Sequence, residues 1–118
     1  MSKIKLDILA FGAHPDDVEL GCGGTIAKEI EKGKKVGIVD LTRDKESLKA
    51  SKILGLEFRE NLNFKDGFFL NDNIHQLEVI KIIRKYKPEI VLCNAQDDRH
   101  IDHPRGAELV SDACFLSG

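Results

Sequence analysis

Three short, nearly continuous apolar runs constrain this chain more than any other feature: "ILAF" within residues 6–12, "KVGIVDL" at 35–41 and "EIVLCN" at 89–94. A run too short for a helix, and apolar at consecutive rather than alternate positions, is a strand buried on both faces, as in parallel sheets. Between these runs the apolar residues take a helical period. One such pattern begins near Gly24, places Ile26, Ala27 and Ile30 on one face and stops at Gly33. A second covers 43–54, with Leu48, Ala50, Ile53 and Leu54 apolar before Gly55. A third covers 72–86, where Val79, Ile82, Ile83 and Tyr86 keep helical spacing up to Pro88, and a fourth covers 105–115, with Pro104 suited to its first turn. A shorter strand is expected at 58–62. Strand and helix in alternation predict an α/β fold: a Rossmann-like, doubly wound, mostly parallel sheet with helices on both faces. The 118 residues suffice for a single domain, 1–118. In the usual order of such a sheet the first strand lies beside the fourth, and ligands bind in the crevice at their C-terminal ends.

The loops expected at that crevice are "AHPDDVELGCGG" and "AQDDRHIDHPRG", which together hold three of the four histidines and a cluster of aspartates. His14 and Asp17 stand three residues apart in a tight turn, and His103 enters from the neighbouring loop. Two imidazoles and one carboxylate, with a fourth position left to water, form a catalytic rather than a structural zinc arrangement, with ligand bonds of ~2.0–2.2 Å. A metal so held lowers the pKa of bound water toward ~7 and polarises a carbonyl oxygen, which makes hydrolysis feasible at neutral pH. Asp16, next to Asp17 but diverging from it, is placed to take the water proton as general base. His100 and Asp102 form a second pair, the carboxylate orienting the imidazole near developing negative charge.

Plainer readings compete residue by residue. An Asp-Asp pair after a strand is often a solvated turn with a helix cap, and "DDRHIDH" alone describes a polar surface loop. The metal reading gains from both loops leaving strands expected to be neighbours. Gly21, Gly23 and Gly24 match no nucleotide-binding motif and are expected to allow close helix-sheet packing. Cys22 reads as a small buried filler, His75 as a surface residue, and Phe68 and Phe69 as a core plug under a loop. A net charge of -2 with pI near 6.1, and no Lys/Arg cluster, argue against a nucleic-acid partner. No apolar stretch is long enough to cross a bilayer, so no membrane partner is expected, and the first residues lack the pattern of a secretory signal. Three cysteines, Cys22, Cys93 and Cys114, are odd in number and widely spaced, which predicts neither a disulfide framework nor a thiolate site and suits the cytoplasm.

The segments "AHPDDVELGCGGTIAK", "VGIVDLT", "RENLNFKDGFF" and "DDRHIDHPRGAELV" resemble the PIG-L/LmbE family of zinc-dependent N-acetylglucosaminide deacetylases, and most closely its bacillithiol-biosynthesis branch. The resemblance implies that His14, Asp17 and His103 bind zinc, with Fe(II) as an alternative in the cell, and that Asp16 is the general base. It implies that His100, held by Asp102, stabilises the oxyanion or protonates the leaving amine, and that Asp66 contacts sugar hydroxyls. The substrate it implies is a small amino sugar, N-acetylglucosaminyl malate, from which acetate is removed; a homo-oligomer is compatible with it. Two departures from the family stand out. Relatives carry a glycine-containing loop where "DLTR" here runs into "DKESL", and they continue past the position of Gly118, so the domain is expected to be the N-terminal part of a longer one. Two alternatives accompany the deacetylase reading: a metal-binding but inactive domain, and a phosphoacceptor receiver module.

Overall fold

A computed structural model of the chain describes residues 5–14, 17–42, 55–65, 67–94 and 102–118. Its elements are β1 (Ile8–Gly12), α1 (Asp17–Glu31), β2 (Val36–Thr42), β3 (Phe58–Phe64), α2 (Asn73–Tyr86), β4 (Ile90–Leu92) and α3 (Asp102–Leu116). The helix expected at 43–54 lies outside the described residues. The strands form one parallel sheet in the order β3-β2-β1-β4. The chain thus winds outward from β1 to β3 and then crosses back to the opposite edge of β1. A receiver module instead runs 2-1-3-4-5, so the strand order sets that alternative aside.

Every residue of β1 and β2 is buried, as consecutive apolar residues require, and alternate side chains divide between two cores. Leu9, Phe11, Val39 and Leu41 point to one face, where α2 supplies Val79, Ile82 and Ile83 and α3 supplies Leu109, Val110 and Ala113. Ile8, Ala10, Val36 and Ile38 point to the other, against Val18 and Ile26 of α1. Asp72 caps α2, accepting the backbone N–H of His75 at 3.0 Å. That bond, and then the His75 ring, hold the Asp72 carboxyl below the usual carboxylate range. Lys87 ends the helix in the left-handed region, and Pro88 prevents its continuation.

Several boundaries and placements differ from expectation. α1 begins at Asp17, well before Gly24, because the glycine cluster does not break it; the helix passes through with a kink at Cys22 (φ -146°, ψ 21°). Gly21 and Gly24 do not serve close packing, since nothing lies within 4 Å of where their Cβ atoms would be. Cys22 is half-buried at that kink rather than fully buried. α3 starts at Asp102 rather than Arg105, with an acidic first turn that suits the positive end of the helix dipole. Pro104 falls inside this first turn, where a missing N–H breaks no helical bond. His75 is half-buried, its Nδ1 2.6 Å from Asp72 Oδ1 and its ring edge-on to Phe64. Of the two phenylalanines, Phe69 is the core plug at 1% exposure, while Phe68 stands 70% exposed beside it.

Leu9 is fully buried on the central strand among α2 and α3 side chains, so Leu9→Ala should cost about 2–5 kcal/mol through lost apolar contact and the cavity left behind. Urea unfolding checks this: the midpoint should fall with little change in slope.

Candidate metal centre

Parallel pairing of Ile8, Leu9 and Ala10 with Ile90, Val91 and Leu92 makes the segments leaving β1 and β4 run side by side. Asn94, just past β4, binds both parts of the turn after β1: its Oδ1 accepts Ala13 N at 2.7 Å and its Nδ2 donates to Asp17 Oδ2 at 3.3 Å. From the other side, Thr42 at the end of β2 donates to Ala13 O through its N at 3.0 Å and its Oγ1 at 2.8 Å. The turn closes on itself, with His14 N donating to Asp17 Oδ2 at 2.9 Å. Gly12 permits this closure, because a Cβ there would stand 3.1 Å from Asp17 Cβ and 3.2 Å from His14 O. Three neighbouring strand ends therefore fix one short turn.

The first turn of α3 delivers the opposing groups. His103 Nε2 lies 3.1 Å from Asp17 Oδ2, and His14 Nδ1 lies 3.8 Å from the same oxygen. The two imidazole rings are 5.4 Å apart between centroids and tilted by 52°. One ligand atom from each of His14, Asp17 and His103 falls within 4.8 Å of the others. Ligand atoms at ~2.0–2.2 Å from one tetrahedral ion stand about 3.3–3.6 Å apart. The separations of 3.8 and 3.1 Å bracket that range, so the donor set suits a divalent metal ion in both chemistry and spacing. Side-chain exposures of 15%, 14% and 18% for His14, Asp17 and His103 leave all three reachable from solvent.

Asp102 differs from them in being fully buried. Its Oδ2 lies 2.8 Å from His14 Nε2 and also accepts the backbone N–H of Gly67 at 2.8 Å. The contact with Asp102 engages Nε2 and turns Nδ1 toward Asp17, and an ionised carboxylate there favours the ring tautomer that carries its proton on Nε2 and its lone pair on Nδ1. Starting α3 at residue 102 directs this carboxylate inward beneath the turn, onto His14; its expected pairing with His100 falls on a residue outside the described ones. Asp16, His100 and Asp66 lie outside the described residues.

A cleft of about 510 Å³ opens beside the group, with Val18, Leu20 and Leu92 on its apolar wall and Asp17, Asn94 and His103 at its polar end. Sequence reasoning overlooked Asn94, Thr42 and the Gly67 amide. Asn94 did carry a signal, being the polar residue that ends "EIVLCN" where the crevice should open. A backbone amide carries none.

Comparisons with known proteins agree with this geometry. Residues 9–47 and 40–114 match the PIG-L family, described as GlcNAc-PI de-N-acetylase. The uncharacterized deacetylase YaiS of Escherichia coli (strain K12) is 41% identical over 115 residues, an alignment covering 81% of this chain and 61% of YaiS. Among solved structures, the conserved protein TT1542 from Thermus thermophilus superposes with a TM-score of 0.84 at 37% identity, covering 94% of this chain and 56% of that one. The N,N'-diacetylchitobiose deacetylase from Pyrococcus horikoshii superposes with a TM-score of 0.81 at 25% identity, covering 92% and 49% respectively. The chain thus spans about half to three-fifths of the length of these relatives. With the family matched along most of its residues and a His-Asp-His group assembled at the expected strand ends, the chain belongs to the PIG-L family.

Proposed function

We propose that this chain forms the catalytic centre of a zinc-dependent hydrolase that removes the N-acetyl group from an N-acetylglucosaminide, with N-acetylglucosaminyl malate as the substrate. The observation that carries the reading is the convergence of His14, Asp17 and His103 within 4.8 Å, two imidazoles and a carboxylate being the donor set of a hydrolytic zinc site. The relatives named as deacetylases support the reaction class, and the family match supports an amino-sugar substrate. No helix among the described residues is long and apolar enough to cross a membrane. A cytoplasmic setting is part of the same proposal.

Zinc bound there supplies a water of pKa near ~7 and polarisation of the acetyl carbonyl. The remaining work belongs to the chain. His14 presents Nδ1 because its Nε2 is engaged by Asp102, and Asp17 presents Oδ2 because His14 N and Asn94 Nδ2 fix that oxygen. Amide hydrolysis adds water across the C–N bond, so one group must take a proton from water and one must give a proton to the departing amine. Asp16 takes the first role and His100 the second, both from the loops that carry the ligands.

Acetate release from N-acetylglucosaminyl malate, with N,N'-diacetylchitobiose as the comparison substrate, tests the reading; stoichiometric zinc with no acetate released from either would favour the inactive, metal-binding alternative. Dialysis against a chelator should abolish turnover and added zinc should restore it. Asp16→Asn should keep zinc bound while lowering kcat by ~10²–10⁴-fold, the usual contribution of a positioned base, and unchanged turnover would defeat that assignment. His103→Ala should lose zinc, read by metal analysis after gel filtration. Asp102→Asn should weaken zinc binding by ~10–100-fold, as when the partner of a metal-bound histidine is removed; competition with a chromophoric chelator measures it.

A further inference from the structure

Two residues of the first turns of α3, Asp102 and Arg105, stand three apart on one helix face and grip the same short segment after β3. Asp102 Oδ2 accepts Gly67 N at 2.8 Å. Arg105 Nη1 donates to Gly67 O at 3.4 Å and to Phe69 O at 3.2 Å. Gly67 is thus held from both ends, in a left-handed conformation (φ 77°) that glycine adopts readily. Phe69 pins the segment from below in the α2/α3 core, and Phe68 projects from it into solvent. Among the described residues no carboxylate pairs with the half-buried Arg105; its partners there are these two carbonyls.

We propose that Arg105 is a positioning residue for the metal centre: by holding the carbonyls of Gly67 and Phe69 it keeps the Gly67 amide on Asp102, and so fixes the carboxylate that orients His14. This rests on the metal site of the proposed function. The physical reason is that Asp102 Oδ2 serves two donors at once, and its position is set by both. With the Gly67 amide in place, the oxygen stays in line with His14 Nε2, which aims Nδ1 toward Asp17 and His103. When the segment loosens, the buried carboxylate follows whichever donor remains, and the ring loses its fixed orientation.

Arg84 provides the control, since it also donates to two carbonyls, Ser117 O at 3.2 Å and Leu116 O at 3.5 Å, at the far ends of α2 and α3. The experiment measures the zinc affinity of the folded chain by chelator competition, and its thermal midpoint, for Arg105→Ala, Arg105→Lys and Arg84→Ala. Removing the direct partner of a metal-bound histidine typically costs ~10–100-fold in affinity, and Arg105 acts two hydrogen bonds further out, so Arg105→Ala should weaken zinc about 3- to 10-fold. Arg105→Lys, which keeps a donor on a flexible stem, should fall between, and serves as the reading if the alanine variant does not fold. Arg84→Ala should lower the thermal midpoint and leave zinc affinity unchanged. Equal affinity in all three and the unaltered chain would overturn the proposal. If Asp17→Asn and His103→Ala also leave affinity unchanged, the metal site itself is misplaced and the clamp falls with it. Zinc affinities that follow this pattern in a chain releasing no acetate would sink the deacetylase reading and leave the clamp standing.

Discussion

The whole site depends on one contact between distant parts of the chain, the parallel pairing of β4 with the edge of β1 left open by β2. Only three residues of each strand are in register. Yet this pairing, together with the Asn94 bond to Ala13, brings the His14–Asp17 turn against α3 across some eighty residues of sequence. Closing so long a connection costs conformational entropy that grows slowly with its length. The buried side chains on both faces of β1, with Val91 packed into the larger core, offset that cost. The functional group is therefore a by-product of core formation: whatever folds the sheet assembles the ligands.

The fold also determines where a buried charge is tolerable. Burying a carboxylate is expensive unless its oxygens find donors, and Asp102 has no exposed surface. Its oxygen accepts from the His14 ring and the Gly67 amide, and it sits at the N-terminal end of α3, where the helix dipole favours negative charge. By contrast His14, Asp17 and His103 keep access to solvent. An exchangeable ligand set requires that access, whereas an orienting carboxylate works better shielded, where its attraction for the imidazole is not screened by water.

How much of this could be read from the letters varied with the kind of signal. Consecutive apolar residues in "ILAF" and "KVGIVDL" marked the buried parallel strands, and the usual order of such a sheet gave the β1–β4 neighbourhood that sets His14 and Asp17 opposite His103. Element starts were less legible. The glycines after Glu19 and the proline before Arg105 suggested late beginnings for α1 and α3, whereas tertiary packing carried both helices back to the aspartates of the site. The contact between Asp102 and His14 was illegible for a related reason, since it depends on the first turn of α3 directing that carboxylate inward. Phe68 and Phe69 show the same limit, since adjacent identical letters cannot tell which ring the core takes.

Under the proposed function, choice of substrate rests with the walls around the His-Asp-His group. In a sheet ordered β3-β2-β1-β4 the ends of β1 and β4 flank the switch point, with the ends of β2 and β3 to one side. The segment leaving β3 presents the exposed Phe68 ring with Lys65 Nζ 5.0 Å from its centroid. Wall and centre meet at the oxygen of Asp102 that binds Gly67 and His14 together. Through that atom the way the segment after β3 sits bears directly on how the His14 ring is aimed.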